Sequence, residues 1–411
     1  MTLLAAAATI DATPPFPAVL SGNGLPDEPI GRAADPIEWQ ALRLHRDGQE
    51  WVLITGDFLS IGRDMRAVAQ AALPGLAAER LVIAASHTHS APAIDPQLPV
   101  LGKVTERFRE WCASRLRQLL SDLMQAPLQP AVLRHGTGAF GGNVYRRRMA
   151  WRPGLPLRAM AMLPDERVPV PSAISLYRVE RADGAPLALV WNWACHPTCF
   201  PDKRAISADY PGVVRAALRA KHGASLPVLF LQGFAGDVRP RLYDRRAGWK
   251  SRIKRALNGD CFGPVALPAW RAWADDLAQQ VAAADQAAAE SAALAQPVLT
   301  ADRIDIPLDA LQDQPVPDRP LTVQRLRLTD DHAMVFLSCE PVCGLLPLFR
   351  GRHGQTLCAG YLDHIYGYLP SDAQVAEGGY EPHTFRANFS LPGRYYPDIE
   401  ARLVNFQGQA F

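Results

Sequence analysis

The sequence predicts an α/β protein, a single large domain over residues 1–411 in which mixed β-sheets are flanked by helices and the functional side chains lie at strand ends. Three observations carry this expectation. Short apolar runs of β-rich composition alternate with longer stretches at helical spacing. Polar side chains capable of chemistry stand directly after several of the short runs, where α/β sheets expose their functional groups. No convincing boundary divides the 411 residues, although that length exceeds the roughly 100–200 of an ordinary domain.

Taken in order, residues 51–55 read as a strand, 64–72 as a helix and 80–85 as a second strand that delivers the run SHTHS at its end. Residues 104–125 carry Phe108, Trp111, Leu116, Leu119, Leu120 and Leu123 at helical spacing, and a strand follows near 131–135. Residues 173–179 and 187–194 read as paired strands joined through ERADGAP, whose Asp183-Gly184 is a turn signal. Residues 209–220, with Pro211 in the first turn, form a helix running into a strand at 227–231. An Ala-rich helix at 267–294 comes next, then strands at 298–306, 322–328 and 334–337 and a helix over 341–349. No internal repeat is legible. The one linker-like stretch, DALQDQPVPDRP at 309–320, is too short and too late to mark a domain boundary.

Composition excludes several classes. Apolar residues at 48% and charged residues at 20% rule out a disordered, collagen-like or disulfide-scaffold chain. The 43 basic and 41 acidic residues leave a net charge of +2, too balanced for a nucleic-acid binder that neutralises phosphates over its whole surface. The opening MTLLAAAATIDATPP has no basic residue before Arg32, so a secretory signal is not indicated and a cytoplasmic location is expected. The longest Ala-rich stretch is interrupted by Arg271, Asp275, Asp276, Asp285 and Glu290, so no transmembrane segment is expected. Seven cysteines, an odd number, read as reduced thiols.

The sharpest local feature is Ser86-His87-Thr88-His89-Ser90. In extended backbone, residues two apart face the same way, so both imidazoles could reach one site. Asn192 to Thr198 places His196 at the end of another apolar strand, and Leu337-Ser338-Cys339-Glu340-Pro341 ends a third on a carboxylate. Imidazoles and a carboxylate at strand ends are the ligand set expected for catalytic zinc. A thiolate site is the alternative, since Cys195 with Cys199 and Cys339 with Cys343 repeat a C-x-x-x-C spacing. Neighbours on a strand point to opposite faces, which separates Cys195 from His196 and disfavours it.

These segments resemble the neutral/alkaline ceramidase family. SHTHSAPA is similar to its SHTHSGPG signature, Cys195-His196-Pro197-Thr198 to its second histidine segment, and Gly236-Asp237-Val238-x-Pro240 to its GDVSP turn. Glu340 matches its strand-end glutamate, and Tyr368 and Tyr380-Glu381 its pair of tyrosines twelve residues apart. The resemblance implies one zinc per chain held by His87, His196, Glu340 and Tyr368, with His89, Tyr380 and an arginine activating the substrate. Arg146, in the run Arg146-Arg147-Arg148, is the expected arginine; the family reads Asn-Arg-Ser there, so Arg147 remains a substitute, and a solvated loop is the plain alternative. Asp237 either orients a histidine ligand or bonds its own turn.

The departures concern the substrate. Ala91 replaces a glycine of the first signature, Arg239 stands where the family has a serine in GDVSP, and the C-terminal β-domain usual in the family is not expected. Eight basic residues between 239 and 255, with Asp244 the sole acid, form either a solvated face or a rim attracting an anionic substrate or membrane surface. The resemblance implies a zinc-dependent amidohydrolase acting on ceramide or, more in keeping with the departures, on another N-acyl compound with a polar or anionic portion. An esterase or lactonase using the same site, and a binding protein that keeps the fold without turnover, are the alternatives. Oligomeric state stays open.

Overall fold

The computed structural model describes residues 2–22, 28–151, 158–295, 297–351 and 355–410. Apolar side chains on both faces of the strands set its layers. Along Leu81–Ala85, Val82 and Ala84 enter one core while Leu81 and Ile83 enter another; along Pro186–Trp193, Ala188 and Val190 are likewise opposed to Leu189 and Trp191. Successive side chains of a strand leave opposite faces, so such strands are stable only in a sheet covered on both sides.

Among the described residues the largest sheet has eight strands. Its spatial order is Val228–Gln232, Pro186–Trp193, Ala173–Arg181, Gln129–Ala139, Leu4–Asp11, Glu38–Arg46, Gln49–Gly56 and Leu81–Ala85. Pairing is antiparallel except at the two edges, where Val228–Gln232 and Leu81–Ala85 run parallel to their neighbours. A four-stranded sheet, Thr300–Ile306, Leu321–Arg327, His332–Leu337 and Gln355–Ala359, is antiparallel twice and then parallel. The inner faces of both sheets share one core that includes Leu53, Leu231, Phe336 and Leu357. Fully burying each such side chain contributes on the order of 1.5–3 kcal/mol. The helices Glu106–Gln125 and Leu267–Glu290 cover the outer face of the eight-stranded sheet.

The structure reveals a repetition that the sequence hides. Among the described residues, and leaving aside inserted elements such as Asn143–Trp151 and Arg158–Asp165, the order of three antiparallel strands, a helix, a parallel strand and a helix occurs three times. The first unit runs from Leu4–Asp11 to the helix Glu106–Gln125, the second from Gln129–Ala139 to Leu267–Glu290, and the third from Thr300–Ile306 to Ile399–Ala410. A parallel pair needs a crossover, supplied in turn by Gly62–Ala72, Tyr210–His222 and, in shortened form, Leu346–Arg350.

Most expected elements are present within a few residues of their expected ends, and the mixed α/β class is the one the sequence predicts. The helix expected over 341–349 is not. Glu340–Pro341 instead pairs in parallel with Tyr368–Leu369, a single 3₁₀ turn spans Cys343–Leu345, and a short helix Leu346–Arg350 follows. Pro347, lacking an N–H, fits only the first turn of a new helix. Residues 309–320 are no linker: Leu311 and Gln312 are buried, and Gln312 bridges to Tyr395. The strands Leu4–Asp11, Glu38–Arg46 and Asn143–Trp151 were not foreseen, so Arg146–Arg148 lie in a strand rather than a solvated loop. The basic run after Arg239 does not form one rim either. Arg245 pairs with Asp260 and Arg246 with Asp244, while residues from Trp249 onward form a separate helix, Trp249–Asn258.

Candidate metal centre

His87 follows Leu81–Ala85, as its sequence suggests, but not in extended backbone. Its φ of 64° is in the left-handed region, uncommon for a residue with a side chain. That bend, rather than strand alternation, sets its ring perpendicular to that of His89, centroids 4.9 Å apart. His87 Nδ1 lies 2.6 Å from the carbonyl of Leu59, His89 Nδ1 2.8 Å from that of Gly22, and His196 Nδ1 2.8 Å from that of Ala235. A carbonyl only accepts, so each Nδ1 carries the proton and, in the neutral ring, each Nε2 presents a lone pair. Gly22 is needed for this approach: its φ is +82°, and a Cβ there would sit 2.6 Å from His89 Nδ1.

The lone pairs converge. His87 Nε2 is 3.2 Å from His196 Nε2 and 3.3 Å from His89 Nε2, and Glu340 Oε2 is 3.2 Å from both His87 Nε2 and His196 Nε2. The donor atoms of the three histidines all lie within 4.8 Å of one another. Among the described residues no N–H or O–H is directed at Glu340 Oε2, although it is buried. Burial, reinforced by Arg146, pushes His196 down to about 4, so it is neutral at physiological pH. Burial, with the neighbouring imidazoles, pushes His89 well below its usual value as well. Electron pairs packed this closely without an intervening proton call for a cation. Ligands at about 2.0–2.1 Å in a tetrahedron stand about 3.3–3.4 Å apart, close to the separations found.

A backbone hub behind the donors holds them in place. At the turn after Val228–Gln232, Ala235 O accepts from His196 Nδ1, Gly236 N donates to Pro341 O, Asp237 O accepts from Arg146 N, and Val238 O accepts from His196 N. A Cβ on Gly236 would meet Glu340 O at 2.8 Å. The Asp237 carboxylate does neither of the things its sequence suggested. It accepts from Cys343 N and Gln374 Nε2, each at 2.8 Å, and so ties the turn to the chain just after Glu340.

Of the three arginines, Arg146 faces the site. Arg146 Nε donates to Glu381 at 2.9 Å, its Cζ lies 5.4 Å from the ring centre of Tyr368 and 5.6 Å from that of Tyr380, and its buried Nη2 has no partner. Arg147 binds the other oxygen of Glu381 and turns away to Glu377 and Gly378. Tyr380 opens a turn of π-helix, Tyr380–Thr384, and its hydroxyl accepts from Asn388 Nδ2 at 3.2 Å, which leaves its proton to donate. Tyr368 pairs with Glu340 along the backbone, and its ring lies parallel to that of His196 with centroids 6.5 Å apart. His89, His196, Arg146, Tyr368 and Tyr380 line one cavity of about 530 Å³, a size that suits a small molecule.

One contributor escaped the sequence reading: Tyr361 lies tilted against His87 with ring centroids 4.3 Å apart, and its buried hydroxyl has no partner among the described residues. Glu381, matched in sequence only as the neighbour of Tyr380, fixes both arginines. The thiol alternative gains nothing: all seven cysteines are free, and burial pushes those of Cys195 and Cys339 well up, which keeps them protonated. Among the described residues no helix is long and apolar enough to cross a membrane.

No protein-family model matches the chain, and no curated protein matches its sequence. Solved structures do. The neutral ceramidase from Pseudomonas aeruginosa is similar over 99% of this chain and 73% of that one, with 16% identity and a TM-score of 0.75. A ceramidase complexed with C2 is similar over 100% of this chain and 76% of that one, with 15% identity and a TM-score of 0.71. At such identities the likeness is one of fold, and the mixed α/β fold of this chain is similar to that of neutral ceramidase.

Proposed function

We propose that this protein is a zinc-dependent amidohydrolase that cleaves a linear amide bond in an N-acyl compound. The observation that carries the reading is the convergence of His87, His196 and Glu340 donor atoms at 3.2 Å, with the imidazole protons tied to backbone carbonyls. The structures that share the fold are ceramidases, which favours amide hydrolysis as the reaction class by analogy.

In this reading His87, His196, Glu340 and Tyr368 would hold the zinc, and His89, joined to the cluster through His87, stays outside the ligand set. Zinc, when bound, supplies a water acidified to near neutrality and polarises a carbonyl. The unpartnered Arg146 Nη2 and the Tyr380 hydroxyl donate to the oxygen of the scissile carbonyl as charge develops there. His89 is neutral, with Nδ1–H anchored on Gly22, so its Nε2 takes the proton of the attacking water and passes it to the leaving nitrogen. As the carbon–oxygen bond forms the carbon–nitrogen bond breaks, and the products are a carboxylic acid and an amine. Glu381 keeps the Arg146 fork aimed.

Purified protein supplied with short N-acyl amines and with ceramide should release free amine, lose that activity to a chelator and regain it with about one equivalent of zinc. Amine release that survives chelation, or turnover of esters or lactones alone, would overturn the reading.

A further inference from the structure

The metal cavity has a second, cationic wall that the reaction does not use. Arg239 and Lys203 line it together with His89, His196 and Arg146, and among the described residues none that lines it is acidic. Most buried arginines elsewhere are matched to carboxylates: Arg146 and Arg147 to Glu381, Arg178 to Glu180 and Asp285, Arg215 to Glu38 and Asp57; Arg386 instead donates to the oxygens of Gln312 and Pro392. Arg239 is not so matched. Its Nη1 lies 3.6 Å from Met162 Sδ and its Nη2 3.8 Å from Cys199 Sγ, its Cζ lies 4.7 Å from the ring centre of Phe262, and its buried Nε has no partner. Sulfur is a weak acceptor, whereas a guanidinium offers five donors in a planar fork. Lys203 donates to Thr198 O at 2.9 Å, and among the described residues it has no carboxylate partner at ion-pair distance. Burial pushes its pKa down.

We propose that Arg239 and Lys203 form a recognition point for a carboxylate carried by the substrate, beside the metal centre. This deepens the amidohydrolase reading and rests on it for the location of the scissile bond. The guanidinium fork matches the two oxygens of a carboxylate, and the ammonium adds a point charge. Arg239 is fixed relative to the ligands because its neighbour Val238 accepts the His196 N–H at 3.1 Å. Met162, Phe262, Pro264 and Val265 give the same cavity apolar walls. A compound with a short acyl chain and a carboxylate a few bonds from the amide, an N-acyl amino acid, satisfies both kinds of wall; a substrate without charge leaves Arg239 without a carboxylate and Lys203 with only the longer-range attraction of Asp209.

The test measures binding by calorimetry on the zinc-loaded protein with two probes of nearly equal shape, N-hexanoylglycine and its uncharged primary amide. Wild type should bind the carboxylate about 10- to 100-fold more tightly, the range expected for charge-assisted bonds. Arg239→Gln should reduce that preference to within about threefold, Arg239→Lys should restore part of it, and Lys203→Gln should weaken it less than Arg239→Gln, all at unchanged zinc content. A preference that survives in both Arg239→Gln and Lys203→Gln would place the carboxylate on the metal instead and overturn the proposal. So would equal affinity of wild type for the two probes. Turnover is read separately: binding preference without hydrolysis of any amide would sink the reaction and leave the carboxylate site standing, whereas hydrolysis without the preference would do the reverse.

Discussion

Arg146 and Tyr380 can act on a substrate oxygen only if something else satisfies the rest of each side chain. Glu381 does this for the arginine, taking its Nε and leaving Nη2 for the cavity, and Asn388 does it for the tyrosine by donating to the hydroxyl. These two donors are therefore separable from the metal ligands by mutation. Tyr380→Phe should keep its zinc and lose roughly 10²–10³ in kcat, the usual effect of removing one preorganised oxyanion donor. His196→Ala should lose zinc and activity together. Zinc content and kcat measured on both variants check the assignment; equal zinc loss would make Tyr380 a ligand instead.

At the scale of elements, sequence was a good guide where chemistry stands at strand ends and a poor one where partners come from far along the chain. SHTHS, the CHPT segment and Glu340 could be read as strand-end donors because each follows an apolar run, and the structure brings His87, His89, His196 and Glu340 together. Arg146 was expected ahead of Arg147, but what separates them, the contacts that turn Arg147 to Glu377 and Gly378, lies 230 residues or more along the chain. The helix expected over 341–349 failed for a local reason, Pro347, which the apolar spacing obscured. Another long-range pair has a consequence for stability. His135, on the strand Gln129–Ala139, packs against His332 with ring centroids 5.1 Å apart, and burial pushes it from 6.5 to about 4. A folded-state pKa below the unfolded one means that the unfolded chain binds the extra proton first, so stability is lost as pH falls from about 6.5 towards 4. Denaturant unfolding at pH 7 and pH 4.5 should show a smaller acid loss in His135→Asn than in wild type. The difference should be on the order of 1 kcal/mol after allowing for solvent screening. An identical acid loss would assign the effect elsewhere.

At the scale of the whole molecule, the α/β class was legible because strand-length and helix-length apolar runs alternate, but the threefold recurrence was not. The three units keep strand order and direction, which backbone pairing records, and not side-chain identity. Recurrence explains the geometry of the site. His87 follows the fourth strand of the first unit, His196 the third strand of the second, and Glu340 the third strand of the third, while Tyr361 and Tyr368 follow the fourth strand of the third. The strand ends are fastened to one another: Gly360 N donates to Gln232 O, Asp363 N to Ile83 O, and Gly236 N to Pro341 O. A donor set gathered from three units in this way is specified by the fold as a whole. The most direct test is anomalous diffraction at the zinc edge from crystals of the protein purified without added chelator. The account predicts one strong peak per chain within about 2.0–2.2 Å of His87 Nε2, His196 Nε2 and a Glu340 oxygen; no peak there, or a peak bound by other residues, would contradict it.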